Sequence, residues 1–229
     1  MAPSTKQALA ASLKKLLKWN AGLQSAVLLC YNGGITGLPG RRRNGVTPST
    51  KQALAASLKK LLRRKFLDDI TVKEIVADCT VNRQTFYYHF QDIYDLLHFL
   101  LEEETGAVLA DCSSWQESLL RAFQYIQDEH TMVYHVFLSD GREHLDCQVY
   151  ALARRIVEDE LTRCAGDLLL AEEDRSFLVR FYMHALAGMM IGWMAQDMRE
   201  EPEDLVAQTA RLLDGDLRRK AEQFAGVLA

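Results

Sequence analysis

The stretch Thr71-Val-Lys-Glu-Ile-Val-Ala-Asp-Cys-Thr-Val-Asn-Arg-Gln-Thr-Phe-Tyr-Tyr-His-Phe90 decides the fold. Thr71 is a good helix N-cap, and Glu74 three residues later completes a capping box. Val72, Ile75, Val76 and Cys79 then fall on one face at helical spacing, and that face must pack. Thr80-Val81-Asn82 supplies a turn, with Asn82 as a fresh N-cap. In the helix that follows, Phe86 and Phe90 recur at i, i+4 as an apolar back, while Arg83, Gln84, Thr85, Tyr88 and His89 form a polar front. Two short helices joined by a tight turn, the second rich in groups that grip nucleic acid, point to a DNA-binding helix-turn-helix.

Charge is distributed to match. The 229-residue chain carries a net charge of -4. Between Pro48 and Phe90, however, Lys51, Lys59, Lys60, Arg63, Arg64, Lys65, Lys73 and Arg83 outnumber Asp68, Asp69, Glu74 and Asp78. Local positive charge is what replaces counterions on phosphates. The competing reading of Lys59–Lys65 is a solvated helix end, where the dipole also favours cations.

The run Val81 to Phe90, followed by Asp92 and Asp95-Leu96-Leu97, resembles the DNA-binding signature of the TetR family of bacterial transcription regulators. Together with Phe181-Tyr-Met-His-Ala-Leu-Ala-Gly188 through Trp193 and Glu201-Pro202-Glu203, it is similar to the narrower DhaS-like branch, the dihydroxyacetone kinase regulator type. The likeness covers residues 49 to 100 and, more weakly, 170 to 215. It implies an all-α chain: a three-helix helix-turn-helix DNA-binding domain over 48–96, then a helical ligand-binding and dimerisation domain over 97–229. Two positions depart from the family pattern. Thr80 replaces the usual turn glycine, which is tolerable if its φ stays negative, and Ile93 replaces a lysine that contacts phosphate.

By residue type, Arg83 and Gln84 are the candidates for base edges, because arginine reads guanine and glutamine reads adenine bidentately. Thr85 suits a thymine methyl or a phosphate. Tyr87 and His89 match family positions that hold the DNA backbone, and Tyr88 can do either. Thr71 and Lys73 are assigned to phosphate, with Lys51 beyond them, and Asn82 caps the reading helix.

The rest of the chain reads as helices near 92–106, 114–130, 132–138, 143–164, 173–199 and 203–225, and nothing alternates long enough for a sheet. The resemblance implies that the last two helices pair with their copies in a four-helix bundle. Ala185, Gly188, Met189, Gly192, Trp193, Leu205 and Leu212 are the candidate dimer contacts; the bland alternative is that they fill a monomer's core. A two-fold dimer spaces two reading helices about one DNA turn apart, ~34 Å, and so reads a palindromic operator in double-stranded DNA. Phe123, Tyr134, Tyr150, Phe181 and Tyr182 are the candidates for an apolar effector pocket, for a small molecule or a protein effector of unknown identity. Repression modulated by an effector is the expected output; a helical coactivator or adaptor of the DhaS type with weak autonomous DNA binding is the alternative.

Other classes find little support. Five cysteines without paired spacing suit a reducing, cytoplasmic compartment and no disulfide framework. His130, His135 and His144 with Asp140 and Glu143 lack metal-ligand spacing, so neither metal nor cofactor is expected. No nucleophile or phosphate-loop motif suggests catalysis. Ala21–Tyr31 and Ala185–Ala195 are shorter than a membrane span, ~20 residues. Finally, Pro3–Leu17 recurs unchanged as Pro48–Leu62, and the second copy runs on into the helix-turn-helix. Residues 1–47 are therefore expected to be a duplicated helix fragment plus a linker, rich between 33 and 47 in glycine and Arg41-Arg-Arg43, outside the fold.

Overall fold

Helix α1 (Thr50–Leu62) begins at Ser49, whose hydroxyl accepts from the Gln52 N–H while the Gln52 side chain accepts from the Ser49 N–H. The structure, a computed structural model, describes residues 49–227. The first copy of the repeat and the Gly/Arg-rich stretch 33–47 lie outside the described residues.

A 3-10 turn (Leu67–Asp69) leads from α1 into α2 (Val72–Asp78) and α3 (Arg83–His89). Leu54, Leu58 and Leu62 of α1, Ile75 of α2 and Phe86 of α3 are all fully buried. Each such side chain contributes roughly 1.5–3 kcal/mol on leaving water, which is how helices too short to persist alone hold together. The Ser57 hydroxyl donates to the Ile75 carbonyl at 3.2 Å and the Cys79 thiol to the Ala53 carbonyl at 3.2 Å, fixing α2 against α1.

Helix α4 (Ile93–Val108), capped by Asp92, connects these three helices to the remainder and packs on both α1 and α7. Then come α5 (Trp115–Asp128), α6 (His130–Phe137), α7 (Arg142–Ala165), α8 (Glu172–Ala195), α9 (Pro202–Leu213) and α10 (Asp216–Phe224). The long pair α7 and α8 forms the largest contact. All-helical architecture thus holds throughout the described residues, with one continuous apolar core.

Two helix ends differ from the sequence pattern. The expected single last helix is broken at Asp214-Gly215, because Gly215 takes φ 71 and the chain restarts as α10. Helix α8 stops at Ala195, not 199, since Asp197 and Met198 turn left-handed and the Met198 N–H caps the Trp193 carbonyl. By length and composition α8 could cross a membrane, but 56% of its apolar window is buried within the protein. Ala185–Ala195 is therefore the end of a core helix.

Three contacts tie the end of α1 and the 3-10 turn after it to the later helices. The His135 imidazole meets the Leu62 carbonyl at 2.6 Å, and the Asp140 N–H donates to Asp68 at 3.1 Å. Gly141 lies so close that a Cβ there would stand 2.3 Å from Leu67 Cδ2.

Candidate nucleic-acid interface

The capping box at Thr71 forms as its sequence implies. The Thr71 hydroxyl accepts from the Glu74 N–H, and both the N–H and the hydroxyl of Thr71 reach Glu74 Oε2 at 3.0 and 2.8 Å. Lys65 donates to the other carboxylate oxygen at 2.6 Å. That ammonium first, and the Thr71 bonds second, hold the Glu74 carboxyl well below its usual range, at about 2. Thr71 is consequently engaged within the chain as well as exposed.

Between α2 and α3 the backbone makes a Schellman turn. The Thr80 N–H bonds the Ala77 carbonyl and the Val81 N–H the Val76 carbonyl. Such a turn needs a left-handed residue at its centre, and Thr80 adopts φ 55. The condition set by the sequence, that the glycine can be lost if φ at Thr80 stays negative, is not met: the turn geometry is kept and a β-branched residue occupies the left-handed position. Left-handed backbone at a β-branched residue costs roughly 1–2 kcal/mol. The Thr80 hydroxyl bonds the Cys79 carbonyl at 2.7 Å, a small local compensation.

Asn82 caps α3, accepting from the Thr85 N–H at 2.7 Å and the Thr85 hydroxyl at 2.9 Å. Thr85 is thereby partly occupied. Phe86 and Phe90 are buried, so the apolar back of α3 faces the core. Arg83, Gln84, Tyr87 and Tyr88 are exposed on the other side, Tyr88 at 83%. His89 is half-buried, with Tyr88 edge-on to its ring. Among the described residues, Arg83, Gln84 and Lys73 have no hydrogen-bond or ion-pair partner in the chain. Ile93, where the family carries a lysine, is half-buried against the core.

The basic run at the end of α1 behaves differently. Lys60 pairs with Asp78, Lys65 with Glu74, and Lys59 and Arg63 with Glu104 and Glu129 of the later helices. Most of that run serves internal ion pairs. Arg64, Lys73 and Arg83, plus Lys51 above the Phe90 and Phe99 rings, remain as open cations.

The five aromatic residues assigned to an effector pocket do not converge. Phe123 is buried against Trp193, Tyr150 against His184, and Tyr134 stacks on His130 at the surface. Phe181 is 61% exposed. Tyr182 lines a slot of about 30 Å³ also bounded by Trp115, Glu160 and Leu217; its hydroxyl donates to Asp216. A larger cavity, about 40 Å³, lies between α4, α5, α6 and α7, with Glu104, Tyr125 and Gln148 on its wall. Gln148 and Glu104 carry no local sequence signal, because they become neighbours only when α4 and α7 pack.

Of the dimer candidates, Ala185, Gly188 and Leu212 are exposed, and Met189 and Gly192 half-buried. Trp193 and Leu205 are buried in their own chain, Trp193 donating its indole N–H to the Glu200 carbonyl. These two side chains belong to the protomer core instead of an outer face. Phe177, Phe181 and Phe224 extend the exposed apolar stripe, Phe177 stacked on Phe181 at 6.5 Å and tilted against Phe224 at 6.1 Å. No group of three or more His, Cys, Asp or Glu among the described residues is placed to hold a metal.

Residues 113–215 match the TetR_C_8 family model, the transcriptional regulator C-terminal region. The chain is 26% identical over 125 residues to the HTH-type dhaKLM operon transcriptional activator DhaS of Lactococcus lactis subsp. lactis (strain IL1403). Over these residues the chain is similar to TetR-type transcriptional regulators, and to DhaS among them. The match spans 52% of this chain and 66% of that DhaS, just under two thirds of its length. Among solved structures, the dihydroxyacetone kinase operon activator DhaS superposes with a TM-score of 0.60 at 20% identity, over 76% of this chain and 98% of that one. The reduced form of NemR from E. coli is a weaker likeness, TM-score 0.39 and 14% identity over 71% and 96% of the two chains. Helices α1–α3 occupy the part of the sequence that precedes the matched C-terminal region.

Proposed function

We propose that this protein is a homodimeric, sequence-specific DNA-binding regulator that inserts α3 into the major groove of a roughly palindromic operator. The observation that carries this reading is the pairing of Arg83 and Gln84, exposed and unpartnered at the start of α3, with Phe86 and Phe90 locked in the core behind them. A helix held from behind presents its polar front in one orientation, as base reading requires. Thr71, Lys73, Asn82, Thr85, Tyr87, Tyr88 and His89 then set the helix and meet the backbone, with phosphate contacts fixing register. Residues 48–96 form the DNA-binding unit and 97–229 the regulatory unit, and removal of 1–47 leaves operator binding intact.

The exposed stripe Phe177, Phe181, Ala185, Gly188 and Leu212 is the proposed dimer face. A two-fold pair through that stripe buries apolar surface that one chain leaves in water. Effector-modulated repression by promoter occlusion follows for such a binder. Because both DhaS relatives are named activators, a reporter with the operator across or upstream of the promoter distinguishes the two outputs. The coactivator reading draws on Ile93, which removes a phosphate contact.

The test is selection on randomised duplex DNA at two salt concentrations, followed by binding of variants to the enriched site. Arg83→Ala is expected to lose about 1–3 kcal/mol and relax one base position, whereas Lys73→Ala weakens all sequences alike and flattens the salt slope. Absence of any enriched sequence, or no effect of Arg83 and Gln84 substitutions on regulation, overturns the DNA reading in favour of the coactivator.

A further inference from the structure

Pro3–Leu17 and Pro48–Leu62 are the same fifteen residues in the same order. The second copy fills its place in the fold as α1, with Leu54, Leu58 and Leu62 fully buried where it packs on α2, α4 and α6. Its polar fixings also lie within the repeat. The Ser57 hydroxyl donates to the Ile75 carbonyl, Lys59 to Glu104 and Lys60 to Asp78, while the Leu62 carbonyl meets His135. The Ser49–Gln52 capping box is inside it too. Leu9, Ser12, Leu13, Lys14, Lys15 and Leu17 stand at the corresponding positions of the first copy. A helix seat selects side chains by their type and spacing, so this one does not distinguish two identical segments.

Discrimination begins one residue later. Lys18, Trp19 and Asn20 follow the first copy where Arg63, Arg64 and Lys65 follow the second. Arg63 grips Glu129 through two nitrogens, and Lys65 donates to Glu74 beside the Thr71 cap at 2.6 Å. A lysine at the first place offers Glu129 one nitrogen, and an asparagine at the second brings no charge to Glu74. These surface pairs favour the second copy by about two- to fivefold each. Chain length counts for more. Four residues, 63–66, join the second copy to the Leu67 turn, against forty-nine, 18–66, behind the first. Closing the longer loop is roughly fortyfold less favourable. The seat therefore prefers the second copy by about a few hundredfold, and the first copy holds a small share.

We infer that Pro3–Leu17 is a spare first helix, which takes the seat of α1 in its own chain and releases Pro48–Leu62 in a minor, exchanged state. A tethered segment reaches the seat at an effective concentration on the order of millimolar, above that of a second molecule in dilute solution. The exchange thus stays within one chain. In the exchanged state no short link ties the Leu67 turn to a seated helix, and Lys65 leaves Glu74 at the start of α2. The exchange stands on sequence identity and on the contacts of the seat. Its consequence, a less firmly held helix-turn-helix that binds operator more weakly, rests on the regulatory reading above.

A disulfide reads the exchange directly. The Ser57 hydroxyl lies within hydrogen-bonding reach of the Cys79 thiol, so a cysteine at position 57 is placed to bond it. Ser12 holds the same position in the first copy. Full-length Ser12→Cys, mildly oxidised and mapped by mass spectrometry, should join residue 12 to Cys79 within one chain. It should do so slower than Ser57→Cys joins residue 57, by about the few-hundredfold preference. Gln7→Cys, at the position matching exposed Gln52, is the control and should not link. Urea unfolding of the full chain gives a second reading. Leu58→Asp should lose at most that few-hundredfold in the folding equilibrium, because the first copy takes over. Leu13→Asp alone should change nothing, and the double variant should lose far more than the two changes separately. No link at 12, equal linking at 7, links only between chains, or additive losses overturns the exchange. If the 12–79 and 57–79 forms bind the selected operator equally, the consequence for DNA falls and the exchange stands; if neither binds any DNA, the regulatory reading falls alone.

Discussion

Replacing Thr80 by glycine is expected to stabilise the protein. Thr80 sits at the centre of the α2–α3 turn with φ 55, where a β-branched side chain crowds its own backbone. Relieving that conformation returns roughly 1–2 kcal/mol. Against it stand about 0.5–1 kcal/mol for the extra freedom of glycine in the unfolded chain. The exposed 2.7 Å bond from the Thr80 hydroxyl to the Cys79 carbonyl adds only a few tenths on that side. The net is a gain of about 0.5 kcal/mol, which for a chain of this size raises the melting temperature by ~1–2 °C. Equilibrium urea unfolding of the parent, Thr80→Gly and Thr80→Ala measures it. Alanine keeps the left-handed penalty and loses the hydroxyl bond, so it should fall below glycine by about 1 kcal/mol. If glycine proves less stable than alanine, the turn is not left-handed at Thr80 and the Schellman reading is wrong.

Other positions give independent checks. Gly141→Ala places a Cβ 2.3 Å from Leu67 Cδ2 and 3.1 Å from Leu97 Cδ2, both in the core, and should cost about 1–3 kcal/mol of overpacking on thermal unfolding; an unchanged melting temperature would show that this joint yields freely. The folded-state pKa of Glu74 is depressed from 4.5 to about 2, so its contribution is full above 4.5 and lost as pH falls toward 2. Glu74→Gln should flatten that acid limb of the stability profile, and an identical limb in the variant would mean other carboxylates govern it. Phe181→Glu, at a site 61% exposed, should leave the fold intact but shift sedimentation from dimer to monomer; a dimer that survives this change does not use the α8 stripe.

The local chemistry of the reading motif was legible from order alone. Thr71 with Glu74, and Asn82 with Thr85, are caps three residues apart, and Phe86 with Phe90 is a contact one helical turn long. Interactions of such short range are written into neighbouring letters, so the helix starts and the buried back of α3 followed. The conformation of Thr80 did not, because a threonine conceals the left-handed demand that a glycine would announce. Charge misled for a similar reason: Lys59 and Arg63 look like free cations until Glu104 and Glu129, more than forty residues on, fold back onto α1, and Lys60 and Lys65 until Asp78 and Glu74 of α2 reach them.

Sequence by itself determined that the chain is helical, where α2 and α3 begin, and which side of α3 is apolar, since each depends on propensity and spacing within a turn or two. Tertiary structure alone decided which aromatic residues are core and which are surface, that Trp193 and Leu205 turn inward while Phe177 and Phe181 turn out, and that Glu104, Tyr125 and Gln148 share one wall. A helix shows the same periodicity whichever neighbour it meets. Which face meets solvent, and which distant residues become neighbours, is fixed only when all the helices compete for the same core.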